Sequence, residues 1–99
     1  MKIRILPEAE QDLLDGIHFY DSQCSGVGSH FLESLSTDIE SLRQFAGVHA
    51  HTLGYHQMRA KRFPFAIYYR VVGDNINIYA VLDCRRNPAW IRRRLRDRK

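Results

Sequence analysis

The feature that most constrains the fold of this chain is a pair of apolar segments separated by a short polar turn. Residues 65–72 and 76–82 are rich in β-branched and aromatic side chains, and Gly73-Asp74-Asn75 lies between them. This pattern predicts a β-hairpin whose turn is Gly73-Asp74 or Asp74-Asn75. Because side chains alternate along a strand, the hairpin is expected to present one apolar face, made of Ile67, Tyr69, Val71, Ile76, Ile78, Ala80 and Leu82.

Another element has to cover that face, and the first half of the chain offers two amphipathic helices. Pro7 suits the first turn of a helix, and the apolar stripe that follows consists of Ala9, Leu13, Ile17 and Tyr20, widened by Leu14. After a turn at residues 22–28, a second stripe with helical spacing consists of Phe31, Leu35, Ile39 and Leu42. Gly47 is typical of the end of a helix. We therefore expect an antiparallel helical hairpin.

The remaining segments complete an α+β fold with the order βααβββα. Residues 2–6 alternate between charged and apolar and predict a first strand, and residues 55–61 predict a second. Asn87-Pro88 can begin a short terminal helix that carries Trp90, Ile91 and Leu95. We expect a small antiparallel sheet packed against the N-terminal helical hairpin, with a short C-terminal helix. The length of 99 residues, 44% of them hydrophobic, suits one domain spanning residues 1–99.

Charge is divided unevenly between the two halves. Residues 1–50 contain three basic and eight acidic side chains, a net charge of −5, whereas residues 51–99 contain twelve basic and three acidic ones, a net charge of +9. Most of these cations are arginines, whose planar guanidinium binds phosphates and carboxylates in a bidentate manner. The second half is therefore expected to meet a polyanionic or acidic partner, unless the charges form only a solvated surface.

The sequence favours a cytoplasmic protein that makes no contact with a membrane. No segment approaches the roughly 18 consecutive apolar residues of a membrane span, and residues 1–7 lack the apolar region of a signal peptide. Cys24 and Cys84 form neither a CxxC motif nor a disulfide framework, so we expect reduced thiols.

Two segments of the second half resemble the RelE/ParE family of bacterial type II toxins. They are residues 61–71, KRFPFAIYYRV, and residues 80–88, AVLDCRRNP. The family pattern is a basic strand, a short turn and a second strand that leads into a terminal helix. The helix-rich first half is also similar to the family.

This resemblance implies a toxin that a cognate acidic antitoxin neutralises in a hetero-oligomeric complex. It also implies one of two activities. The RelE-like branch cleaves messenger RNA on the ribosome, and the ParE-like branch poisons DNA gyrase without nuclease chemistry. Phe63-Pro64 and Tyr68-Tyr69 fit the ParE-like branch better.

RNA cleavage without a metal needs a base for the 2′-hydroxyl, an acid for the leaving oxygen and cations for the phosphorane. Where the nuclease branch often carries His or Tyr, this chain has Asp83-Cys84. Neighbouring arginines should lower the pKa of Asp83 below about 3.9, which leaves a weak base. The nuclease machinery is thus incomplete. If the chain is a nuclease, its predicted residues are Arg59, Lys61, Arg62, Asp83 and Arg85.

Three histidines, His49, His51 and His56, form another group of polar side chains. His56 is a possible substitute base, and the H-x-H spacing is a possible metal motif. Because no carboxylate or cysteine lies close to them in sequence, a polar loop is the simpler interpretation. We expect neither a metal ion nor a cofactor.

The terminal segment is the strongest candidate for binding a partner, since eight of its last fifteen residues are cationic. Ile91 and Leu95 should dock the helix and leave Arg92, Arg93, Arg94, Arg96 and Arg98 on its surface. Tyr68 and Arg70 should point away from the core. The predicted target- and antitoxin-binding residues are Arg59, Lys61, Arg62, Tyr68, Arg70, Arg85, Arg86, Trp90, Arg92, Arg93, Arg94 and Arg96.

Three functions therefore remain open. The favoured one is a ParE-like inhibitor of DNA gyrase that is not an enzyme. The second is a ribosome-dependent mRNA endoribonuclease. The third is a degenerate toxin that has kept only its binding to the antitoxin.

Overall fold

One mixed β-sheet carries helices on both of its faces. A computed structural model describes residues 1–98. In chain order the elements are β1 (Lys2–Ile5), α1 (Pro7–Gln23), α2 (Val27–Glu40), α3 (Leu42–Phe45), β2 (His51–Thr52), β3 (Tyr55–Arg59), β4 (Phe65–Val72), β5 (Asn75–Asp83) and α4 (Pro88–Asp97). The order of the strands across the sheet is β1-β5-β4-β3-β2.

The predicted α+β fold is confirmed, but the sheet has five strands where four are predicted, and one strand pair is parallel. The short elements α3 and β2 add to the predicted order. β1 lies beside β5 in parallel, with Ile3 opposite Ile76, while the other strand pairs are antiparallel. A parallel neighbour is possible here because three helices and three strands separate β1 from β5 in the chain, so no tight turn dictates its direction.

The central hairpin has the predicted position and turns at Gly73-Asp74, since Val72 pairs with Asn75. Gly73 has a φ of +60°. A glycine with positive φ at the first of two turn residues is the requirement of a type II′ turn, which matches the twist of the flanking strands.

A β-bulge divides β5 into two parts with opposite side-chain parity. Tyr68 pairs with Ala80 and Tyr69 pairs with Ile78, so Tyr79 has no partner on β4. The prediction that Ala80 and Leu82 share a face with Ile76 and Ile78 is therefore wrong. One extra residue on a strand shifts every later side chain to the other face.

The two helices α1 and α2 cover the inner face of the sheet, as predicted. Phe31, Leu35, Ile39 and Leu42 are all buried against Ile67, Tyr69, Ile76, Ile78 and Val81. Leu14, in contrast, is 48% exposed and does not widen the stripe of α1. The helices approach closely at Gly16, where an added Cβ would lie 2.5 Å from the ring of Phe31.

The outer face of the sheet has a second apolar cluster, which α4 covers. Leu95 is buried there, and Trp90 and Ile91 pack at its margin. The strand residues in this cluster are Tyr55, Ala66, Tyr68, Ala80 and Leu82. The Tyr55 hydroxyl donates a hydrogen bond of 2.9 Å to the Leu95 carbonyl, so the helix is held by both apolar burial and a polar contact.

The end of α4 is fixed by a buried ion pair between Arg98 and Asp12 of α1. Arg98 Nη2 donates to Asp12 Oδ1 at 2.9 Å, and Arg98 Nη1 contacts Asp12 Oδ2. The same Oδ2 accepts the Val81 backbone N–H at 2.9 Å. Both charged side chains are less than 10% exposed. Arg98 is therefore not one of the exposed arginines of the terminal helix, and that prediction is wrong.

Breaking this ion pair should destabilise the fold strongly. Arg98→Met keeps the length of the side chain but leaves Asp12 buried without a counter-charge, a loss of about 3–5 kcal/mol in the free energy of unfolding. Arg93→Met, on the exposed surface of the same helix, is the matched control and should change stability by less than about 0.5 kcal/mol. Urea denaturation of both variants measures the difference, and equal stabilities would contradict a structural role for Arg98.

Candidate functional site

The candidate partner-binding surface is the exposed side of α4 and the loop before it. Asn87 Oδ1 accepts the Ala89 backbone N–H at 2.8 Å, and Pro88 opens the first turn, as the sequence predicts. Inside the helix, Leu95 faces the sheet and is buried. The predicted arginines Arg92, Arg93, Arg94 and Arg96 are all exposed.

Trp90 organises two of the arginines on this surface. The guanidinium carbon of Arg86 lies 4.3 Å from the centre of the Trp90 ring, and that of Arg94 lies 4.7 Å from it. Cation–π contacts of this kind hold a guanidinium in place without consuming its N–H donors. Both arginines can therefore still bind an anionic group.

Most of the predicted cations have no counter-charge in the part of the chain that the structure describes. Within residues 1–98, the ion pairs at 4.0 Å or less involve only Arg43, Arg85 and Arg98. The candidates without a carboxylate partner in this part of the chain are Arg59, Lys61, Arg62, Arg70, Arg86, Arg92, Arg93, Arg94 and Arg96. Such a surface attracts acidic or polyanionic partners.

On the strands, two predicted binding residues differ in their accessibility. Arg70 is half-buried, and its Nε donates a hydrogen bond of 2.8 Å to the Gly54 carbonyl. Its guanidinium carbon lies 4.2 Å from the ring centre of Tyr55 and 4.8 Å from that of Tyr79. Tyr68 points to the outer face as predicted but is only 3% exposed, because α4 covers it. Tyr68 is therefore part of the core beneath the terminal helix.

Asp83 is engaged by its neighbour. It accepts hydrogen bonds from the Arg85 backbone N–H at 2.8 Å, from Arg85 Nε at 3.0 Å and from Arg85 Nη2 at 2.8 Å. Side-chain hydrogen bonding by Arg85 lowers the pKa of Asp83, which confirms the direction expected from the sequence. A carboxylate with a lowered pKa that is already paired is a poor general base at neutral pH.

Arg59, another member of the predicted nuclease set, does not lie on the same face of the sheet as Asp83. Arg59 pairs with Ala66 of the outer cluster, whereas Asp83 pairs with Phe65 of the inner core, so the two side chains lie on opposite faces of the sheet. Lys61 and Arg62 are exposed in the loop that follows β3. Burial raises the pKa of the Cys84 thiol, which opposes formation of a nucleophilic thiolate.

Two of the histidines, His49 and His56, contact Tyr69 at the edge of the inner core. His49 Nδ1 lies 2.5 Å from the Tyr69 hydroxyl, which also accepts the Gly47 backbone N–H at 2.9 Å. The His56 ring stacks on Tyr69, with ring centres 5.1 Å apart, and His51 packs edge-on against His56. These contacts assign the histidines to packing of the β2–β3 region. Within residues 1–98, no cluster of three or more potential metal ligands is present.

Two polar residues that position the surface were not identified from the sequence. Asp12 of α1 is buried and binds Arg98. Asp38 is also buried, and its Oδ2 accepts the Lys61 backbone N–H at 3.1 Å, which anchors the loop after β3. The sequence does contain an indication of their burial, since Asp12 and Asp38 each lie directly beside an apolar residue of a helical stripe.

Comparisons with known proteins find one family model and one solved structure that are similar to this chain. The model described as "ParE toxin of type II toxin-antitoxin system, parDE" matches residues 3–88. A solved structure described as "Chromosomal ParDE TA system from P. aeruginosa" is 20% identical, with a TM-score of 0.74 over 82% of this chain and 92% of that one. No curated protein sequence matches. Across residues 1–98, no helix is sufficiently long and apolar to cross a membrane.

The partial burial of His49 predicts a pH-dependent stability. Burial lowers the pKa of His49 below its ordinary value near 6.5, so the folded protein binds fewer protons than the unfolded chain as the pH falls below about 6.5. Stability should therefore decrease as the pH falls through this range. His49→Asn, which does not titrate, should reduce that decrease, as measured by urea denaturation at pH 7.5 and pH 5.5. An unchanged pH dependence would contradict the assignment.

Proposed function

Because the chain belongs to the ParE toxin family of type II toxin–antitoxin systems, we propose that it inhibits DNA gyrase and that a cognate antitoxin neutralises it. The proposed inhibition is a binding event and requires no covalent chemistry. The observation that carries this proposal is the set of exposed arginines on α4, which have no carboxylate partner within residues 1–98.

The geometry of α4 supports its role as a binding element. The helix is attached through Leu95, the Tyr55 hydroxyl and the Arg98–Asp12 ion pair. Its remaining arginines are not needed for that attachment and stay available to a partner. Arginine is well suited to such a surface, because it forms bidentate hydrogen bonds with carboxylates and phosphates.

The arrangement of titratable groups gives less support to the endoribonuclease alternative. Asp83 is paired with Arg85, and burial raises the pKa of both Tyr55 and Tyr68. None of these groups is suited to remove a proton from a 2′-hydroxyl at neutral pH.

Two assays on one preparation separate the proposed functions. The protein should inhibit DNA supercoiling by gyrase and should leave ribosome-bound mRNA intact. Cleavage of mRNA without an effect on gyrase would favour the nuclease alternative. Loss of both activities in a protein that still binds its antitoxin would identify a degenerate toxin.

The arginine surface can be tested with a fourfold variant. Arg92, Arg93, Arg94 and Arg96 are replaced by glutamine, while Arg98 is kept because it is structural. Inhibition of supercoiling should fall at least tenfold, because the variant loses long-range attraction to its target. For the same reason, inhibition by the wild type should decrease more steeply with salt concentration than inhibition by the variant. The melting temperature should change by only a few degrees, since exposed charges contribute little to folding.

A second variant controls for the general loss of charge. Arg59, Lys61 and Arg62, which are exposed on β3 and in the loop that follows it, are replaced by glutamine, and this protein should retain most of its inhibition. If the strand variant loses activity and the helix variant does not, the target surface lies around β3 instead of α4.

Asp83→Asn tests the nuclease alternative directly. The amide keeps the shape of the side chain but cannot act as a general base. Growth inhibition should therefore remain within a few-fold of the wild type if the toxin acts on gyrase. Complete loss of toxicity, with an unchanged melting temperature and unchanged antitoxin affinity, would count against the gyrase proposal.

A further inference from the structure

A groove of about 250 Å³ lies between α1 and α4, at the end of β5. Its apolar lining comes from Phe65, Val81 and Leu82 of the sheet and from Gly16 of α1. Two aromatic side chains stand at its sides: Phe19 of α1, which is 48% exposed, and Trp90 of α4, which is half-buried.

The two walls of this groove carry opposite charges. On the α4 side, Arg86 and Arg94 are held against Trp90, and neither has a carboxylate partner within the part of the chain that the structure describes. On the α1 side, Asp15 accepts a hydrogen bond of 2.9 Å from Gln11. The other acidic groups of the lining, Asp12 and Asp83, are already paired with Arg98 and Arg85.

The size of the groove favours an inserted side chain over a small-molecule ligand. Ligand pockets typically measure roughly 300–1,000 Å³, and this groove is smaller and open. An apolar lining bordered by aromatic rings suits one large apolar side chain. The unpaired arginines favour carboxylates beside that side chain, on the α4 wall, because guanidinium–carboxylate pairs are strong and directional.

From these features we infer that the groove between α1 and α4 is the anchor site for an acidic segment of the antitoxin. The segment inserts one large apolar side chain between Phe19 and Trp90 and directs its carboxylates towards Arg86 and Arg94. Asp15 excludes a carboxylate from the opposite wall and so sets the direction of the segment. The inference rests on the proposed antitoxin partner and specifies where that partner binds.

The antitoxin is a better occupant than gyrase because the groove is small and its two walls carry opposite charges. A segment that folds on binding can insert a single side chain into such a groove. The arginines Arg92, Arg93 and Arg96 do not line the groove. They remain available for the proposed contact with gyrase, and substitutions at these three arginines test that contact without altering the groove.

The single tryptophan of the chain gives a direct readout, because Trp90 borders the groove. The full-length toxin is labelled with 5-fluorotryptophan and titrated with the purified protein encoded by the adjoining reading frame. The chemical shift of the Trp90 ¹⁹F resonance should change as the partner is added and reach a plateau when the toxin is fully bound. A resonance that stays unchanged when the partner is fully bound, or a partner protein that does not bind at all, would overturn the inference.

A matched pair of variants tests the apolar anchor. Phe19→Ser removes a 48% exposed aromatic side chain from the groove, and Phe45→Ser removes a 52% exposed one from α3. Affinity for the partner protein should fall at least tenfold for Phe19→Ser and less than threefold for Phe45→Ser, with similar melting temperatures. Equal affinities would overturn the assignment of the groove.

The charge pattern is tested by a second pair on one helix. Arg94→Gln should weaken binding of the antitoxin several-fold more than Arg93→Gln, because only Arg94 lines the groove. Supercoiling inhibition by the wild-type toxin is measured separately, so failure of the gyrase proposal leaves these affinities interpretable. A shift of the Trp90 resonance by gyrase and not by the partner protein would assign the groove to the target and overturn the inference.

Discussion

The position of the terminal helix depends on the buried ion pair between Asp12 and Arg98. The carboxylate of Asp12 joins three parts of the fold. It belongs to α1, accepts the Val81 N–H of β5 and binds the guanidinium of Arg98, which directly follows α4. Arg98 also donates to the Tyr79 carbonyl at 3.3 Å. Without this ion pair, the end of α4 would retain only the burial of Leu95 and the hydrogen bond from the Tyr55 hydroxyl to the Leu95 carbonyl. The exposed arginines and the groove beside α1 both depend on that attachment.

The bulge at Tyr79 allows a small sheet to support apolar contacts on both faces. Before the bulge, Ile76 and Ile78 of β5 face the helical hairpin, and after it Ala80 and Leu82 face α4. The change of parity gives the terminal helix an apolar surface to cover. The unpaired residue also offers its carbonyl to Arg98, so the irregularity of the strand and the docking of the helix support each other.

The chemistry of the surface favours binding over catalysis. Asp83 is paired with Arg85, and Cys84 has a raised pKa. The guanidinium groups of Arg86 and Arg94 are held in place on Trp90 by cation–π contacts, which do not use their N–H donors. Groups of this kind act through electrostatic attraction and hydrogen bonding, and both the proposed gyrase contact and the proposed antitoxin site use these properties.

Local sequence determined the helices, the hairpin and the cap of α4, because spacing, turn residues and Asn87-Pro88 act over a few neighbouring positions. It also determined the concentration of arginines near the C-terminus. Only the tertiary structure decided which arginine is buried and which face each half of β5 presents. Arg98 and Asp12 are 86 residues apart, and their pairing arises only when α1 and α4 meet across the sheet. The bulge likewise depends on how β4 and β5 align, since alternation along one strand carries no information about the partner strand.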